Sequence, residues 1–154
     1  MNIIICGAGE VGFSLAKYLA SENMQVTVID DSIDRLQKVS GSIDVRTLTG
    51  KTYNPNILLE ANANDTDLLI SVTEQDEVNI LTCEVAKILF NVPNTIARIK
   101  EKELLDEKTW IQGIDLDIEE PDIIAVPHIP LFSLLIQVPT SKLPPIRQIQ
   151  AQQS

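Results

Sequence analysis

Apolar runs and helical spacings alternate along the first hundred residues. Ile3-Ile4-Ile5-Cys6 is an uninterrupted run rich in β-branched residues, the pattern of a strand covered on both faces. Val11, Leu15, Tyr18 and Leu19 recur at i, i+4, i+7 and i+8, which predicts an amphipathic helix over Glu10 to Glu22. Val26 to Ile29 forms the next strand. Asp31 or Ser32 then offers a cap to a short helix carrying Ile33, Leu36 and Val39. A third strand is expected over Val45 to Leu48. Asn54-Pro55 is a cap followed by proline at the first helical position, which starts a helix running to Ala61. Leu68 to Val72 is a fourth strand, Asp76 to Phe90 a long helix, and Thr95 to Ile99 a fifth strand. Strands separated by helices need crossover connections. The predicted class is therefore α/β, a Rossmann-like, doubly wound parallel sheet with helices on both faces.

That context gives meaning to Gly7-Ala8-Gly9-Glu10-Val11-Gly12, a G-x-G-x-x-G run. Alone it is a weak signal. Here it leaves a strand, opens a helix and lies in a βαβ unit whose second strand ends in Asp30, at about the 20-residue distance expected of a dinucleotide fingerprint. Gly7 permits the tight turn, Gly9 lets backbone approach a pyrophosphate, and Gly12 lets the helix pack on the sheet. The free N–H groups at Glu10 and Val11 face the phosphates. A carboxylate at Asp30 accepts ribose hydroxyls and repels a 2′-phosphate, so NAD(H) is the expected ligand, with ATP or ADP next because they share the adenosine. Arg35, one helical turn on, is the only hint toward NADP.

Composition narrows the partners. With 44% apolar residues in 154 the chain can bury a core, and a formal charge of −10 leaves no basic footprint, so nucleic acid is not an expected partner. Cys6 and Cys83 fit no metal or redox spacing and read as buried small hydrophobes. With no leader-like N-terminus and no apolar run long enough to span a bilayer, the expectation is a cytoplasmic protein.

The stretches "MNIIICGAGEVGFSLAKYLASENMQVTVIDDS", "LTGK" and "LLISVTEQDEVNILTCEVAKILFNVPNTIARIK" resemble the nucleotide-binding domain of the TrkA potassium-uptake regulators, also called RCK or KTN domains. The segment V-T-x-x-D-E-x-N after the fourth strand and A-R-I-K at the fifth carry most of the likeness, which covers residues 1–126. The resemblance implies phosphate contacts at Gly7, Ala8, Gly9, Glu10 and Val11, and a ribose contact at Asp30. It adds Thr73 and Glu74 at the end of the fourth strand and Arg98 at the end of the fifth. These last three fall at carboxyl ends of strands, where parallel sheets bind ligands. Lys51 could approach the adenine or a phosphate. Asp76 and Asn79 are expected to serve the helix start, with Asp76 as its cap.

A catalytic constellation is not legible. His128 lies between Pro127 and Pro130, and no nucleophile–base pairing stands out. The family resemblance implies a non-enzymatic regulator that binds nucleotide as a homo-oligomer and gates a membrane-embedded potassium transporter subunit, at the inner face of the cell membrane. Two other readings are the nucleotide-binding half of a small NAD-dependent oxidoreductase, and a scaffold with a vestigial site. From 127 to 154 the pattern changes. All 22 acidic residues lie at or before Asp122, while Pro127, Pro130, Pro139, Pro144 and Pro145 crowd the end. The expectation there is an irregular tail whose Leu131, Phe132, Leu134, Leu135 and Ile136 pack on this domain or on a second subunit.

Overall fold

The computed structural model describes residues 1–101. The expected tail, its boundary at 126 and His128 lie outside the described residues. Five strands, β1 (Asn2–Cys6), β2 (Gln25–Asp30), β3 (Arg46–Thr49), β4 (Leu68–Ser71) and β5 (Asn94–Ala97), form one parallel sheet in the order β3-β2-β1-β4-β5. The helices are α1 (Glu10–Ser21), α2 (Ile33–Ser40), α3 (Pro55–Glu60) and α4 (Asp76–Phe90), with a 3-10 turn at Ala63–Asp65 that the sequence reading did not anticipate. Strand order reverses between β1 and β4. Two doubly wound halves meet there and open a crevice beyond the strands' carboxyl ends.

Alternation along the strands divides the interior into two layers. Ile3, Ile5, Val26, Val28 and Ile70 face α1 and α2, where Leu15, Leu19, Leu36 and Val39 meet them. Ile4, Cys6, Ile29 and Leu69 face the other side, where Leu58, Cys83 and Ala86 lie. Cys6 and Cys83 are fully buried free thiols, as expected. Burial pushes both up from the usual thiol range, so they stay protonated and inert.

The helix starts follow the capping logic of the sequence. Ser32 accepts from the N–H of Arg35, and the Asn54 side chain accepts from the N–H of Asn56 at 2.9 Å ahead of Pro55. Replacing Asn54 with alanine should cost about 1 kcal/mol, read as a lowered urea midpoint at constant m-value; an unchanged midpoint would show that the cap contributes nothing. The fifth strand stops at Ala97 rather than Ile99. Arg98 N–H still donates to Ser71 O at 2.8 Å, but the Lys100 and Glu101 N–H groups then donate to Oδ2 of Asp76, each at 2.9 Å. The chain leaves the sheet where that carboxylate, in place of a strand carbonyl, accepts both N–H groups.

Candidate functional site

Each element of the crevice is set by backbone constraints that the glycines satisfy. Gly7 has φ +109, a conformation that L residues rarely adopt, and a Cβ there would lie 3.0 Å from the backbone of Val72 and Thr73. The turn leaving β1 therefore presses against the end of β4. At Gly12 a Cβ would lie 1.7 Å from Gly7 O, so only hydrogen allows α1 to start this close to the sheet. Gly9 is the N-cap of α1 and has no side chain to satisfy the first-turn amides. A Cβ at Gly9 would meet nothing within 4 Å. Of the three motif glycines, it borders open space, in front of the positive end of the helix.

Asp30 is 4% exposed and organises this loop. Its Oδ2 accepts the Ala8 N–H at 2.7 Å, its Oδ1 accepts the Ser32 N–H at 2.8 Å, and the Arg35 guanidinium stands 3.7 Å away. Ala8, expected among the phosphate donors, thus spends its N–H on Asp30. Glu10 and Val11 lie in the first turn of α1, Glu10 exposed and Val11 buried.

A cleft of about 320 Å³ runs from Asp30 to Thr73 and Glu74, with Lys51, Tyr53 and Val78 on its walls. A second hollow, about 560 Å³, lies between the α1 start and α2, bordered by Gly9, Phe13, Arg35 and Lys38. Arg35 borders both. A third hollow of about 470 Å³ sits at the amino ends of the strands, the end away from the glycine turn. Lys51 reaches across the 320 Å³ cleft to Asp31 at 2.7 Å. Its ammonium holds the Asp31 carboxyl below its usual range, while Asp31 raises Lys51 in return.

Asp76 and Asn79 depart from expectation. The cap position of α4 is Gln75, and the Asp76 carboxylate turns to the backbone past β5 instead. Asn79 is fully buried. Its Oδ1 accepts from Ser71 Oγ, Thr73 N–H and Thr73 Oγ1 at 3.0, 2.9 and 2.7 Å. Its Nδ2 donates to Thr73 O and Arg98 O at 3.0 and 2.9 Å. One amide therefore ties together the β4 end, the loop after it and the β5 end. The motif reading missed this role, although its signal was present. Asn79 shares a helical stripe with Thr82, Cys83 and Ala86, and a polar residue on a buried stripe needs partners. Tyr53 and Val78 were missed for lack of any motif.

Arg98 and Glu74, expected to share the site, are paired at 3.2 Å, and Lys100 also binds Glu74. Hydrogen bonding to Lys100, then the charge of Arg98, hold the Glu74 carboxyl below its usual range. Asp30, Thr73 and Glu74 border one cleft, and the turn at Gly7 adjoins Thr73. Arg98 joins them through Glu74.

The chain is 46% identical over 108 residues to the Trk system potassium uptake protein TrkA of Vibrio alginolyticus, an overlap of 70% of this chain and 24% of that protein. It thus spans about a quarter of that relative's length. The solved TrkA-N domain of the inner membrane protein ybaL from Escherichia coli superposes with TM-score 0.65 at 20% identity, over 73% of this chain and 82% of that one. The structure described as the GsuK channel bound to NAD superposes with TM-score 0.64 at 19% identity, over 74% of this chain and 20% of that one. At these identities the two structures speak for the Rossmann-like fold alone. Residues 3–115 match the TrkA-N domain itself, and the chain belongs to the TrkA-N domain family.

Proposed function

We propose that the chain is a nucleotide-binding regulatory module of a potassium uptake system, taking NAD(H) in the crevice beyond β1, β2 and β4. One observation carries this reading: the carboxylate that ends β2 borders one cleft, the uncapped helix start at Gly9 borders the neighbouring hollow, and Arg35 borders both, which suits a ribose in the first and a pyrophosphate in the second. Gly7 and Gly12 support the turn, Gly9, Glu10 and Val11 serve the phosphates, and Ala8 acts through Asp30. Thr73 and Glu74 lie on the far wall, with Arg98 behind them through its ion pair with Glu74. ATP or ADP could use the same adenosine contacts. The relative's name as a potassium uptake protein and the NAD bound by the GsuK channel point the same way.

The role is proposed as binding rather than catalysis, in keeping with the relative's name as a potassium uptake protein. Nucleotide changes a transporter only if it binds two arrangements of an assembly with different affinity. On the proposed reading the module acts as a homo-oligomer on a membrane-embedded potassium transporter subunit, from the cytoplasmic side. No helix among the described residues is long and apolar enough to cross a membrane. The nucleotide domain is proposed to extend over residues 1–126.

A thermal-shift titration tests the reading. NADH at about 100 times its Kd adds about 2.7 kcal/mol to the folded state, a rise of several degrees. NADPH should give none, and Asp30→Ala should lose the response. A flat melting temperature with NAD⁺, NADH, ATP and ADP alike would contradict it.

A further inference from the structure

We propose that Glu74 is an internal counter-anion. Its carboxylate occupies the place that a terminal phosphate would take on Arg98 and Lys100, so binding exchanges one anion for another. This rests on the nucleotide reading above and specifies its far wall.

The arrangement is asymmetric in a way that suits exchange. Glu74 uses one carboxylate oxygen for each cation, Oε1 for Arg98 and Oε2 for Lys100. That is the bridging chemistry a phosphate offers to the same pair. On the cationic side Arg98 is fixed, while of Lys100 only the backbone is, its side chain being 40% exposed. Arg98 is 13% exposed at its side chain, its N–H and C=O are bonded to Ser71 and Asn79, and the Lys100 N–H is held by Asp76. The anionic side is loose, with the Glu74 side chain 68% exposed. The Arg98 Nε is buried without a hydrogen-bond partner, so the fork has a donor that Glu74 does not use. The cluster is also well placed. Thr73, one residue before Glu74, abuts the turn at Gly7, and Glu74 borders the cleft that Asp30 borders.

Two physical consequences follow. Glu74, like any exposed carboxylate, does not vacate by protonation near neutral pH, and hydrogen bonding to Lys100 with the charge of Arg98 holds its carboxyl lower still. It must be displaced, and a phosphate of higher charge is the competent competitor. Exposed ion pairs are weak, so displacement is cheap and the effect on affinity modest. The residue should therefore set how strongly the site distinguishes nucleotides by phosphate number.

The test is calorimetric titration of the full chain with ATP, ADP and AMP, which share base and ribose. Glu74→Gln removes the competing charge, and Lys100→Gln removes one receiving cation. Glu74→Gln should tighten ATP and ADP about two- to fivefold relative to AMP, an effect on the scale of exposed ion pairs. Lys100→Gln should lower the same ratio, and both variants should melt with the wild type when nucleotide is absent. Equal changes for all three nucleotides, or loss of all binding in Glu74→Gln, would make Glu74 a direct ligand and overturn the exchange. A chain that binds NADH but not ATP would overturn it as well, leaving the nucleotide reading intact. Binding of no nucleotide at all would remove both.

Discussion

Gly12→Ala is expected to destabilise the native fold severely. The added methyl would sit 1.7 Å from the Gly7 carbonyl oxygen and 2.8 Å from its carbon, both backbone atoms of a turn that cannot retreat. Gly7 is itself held by its N–H to Ile29 O at 2.8 Å, and a shift there would drive the turn into Val72 and Thr73. Overpacking in ordinary cores costs about 1–3 kcal/mol when side chains can move. Here helix and strand must separate, so about 3 kcal/mol or more is expected, a large share of the 5–15 kcal/mol typical of a domain. Circular dichroism melts should show a midpoint lowered by at least about 10 °C or no cooperative transition. A melt matching the wild type would mean that α1 does not start as close to β1 as described.

Gly9→Ala should do the opposite, sparing the fold and weakening ligand binding. Gly9 has φ −70 and ψ −169, extended backbone open to any residue, and its Cβ direction is empty to 4 Å. The expected cost in stability is that of an unfavourable N-cap residue, up to about 1 kcal/mol. The methyl enters the space in which backbone and pyrophosphate must approach, so nucleotide affinity should fall by tenfold or more, about 1.4 kcal/mol or greater. Two glycines three residues apart are thus predicted to fail in different ways, one by folding and one by binding.

How far the sequence foretold this varies with the interaction. Strands with continuous β-branched runs, such as Ile3 to Cys6, and helices with both a start signal and a long stripe, such as Asp76 to Phe90, were legible because local pattern and burial agree. Boundaries moved where long-range partners decide them. β5 ends early because Asp76, far away in sequence, captures the backbone after it. The tight turn at Gly7 and the close packing at Gly12 were legible through the strand-turn-helix context. The Asp30–Ala8 hydrogen bond was not, since it joins the ends of two strands and depends on register. The hub at Asn79 and the Glu74–Arg98–Lys100 cluster were hidden for the same reason. Helical spacing reports that Asn79 is buried, and only the fold reports what it meets. The motif likewise named Glu74 and Arg98 separately, and only the fold reveals them as each other's counter-ions.

The central claim is that nucleotide occupies the opening in front of Gly9. The direct measurement is an isothermal titration of NADH into the wild-type chain and into Gly9→Ala, with the melting temperature of each recorded without ligand. The account predicts saturable binding to the wild type, at least tenfold weaker binding to the variant, and melting temperatures within a few degrees of each other. Equal NADH affinity in two equally stable chains would place the nucleotide elsewhere and contradict the account.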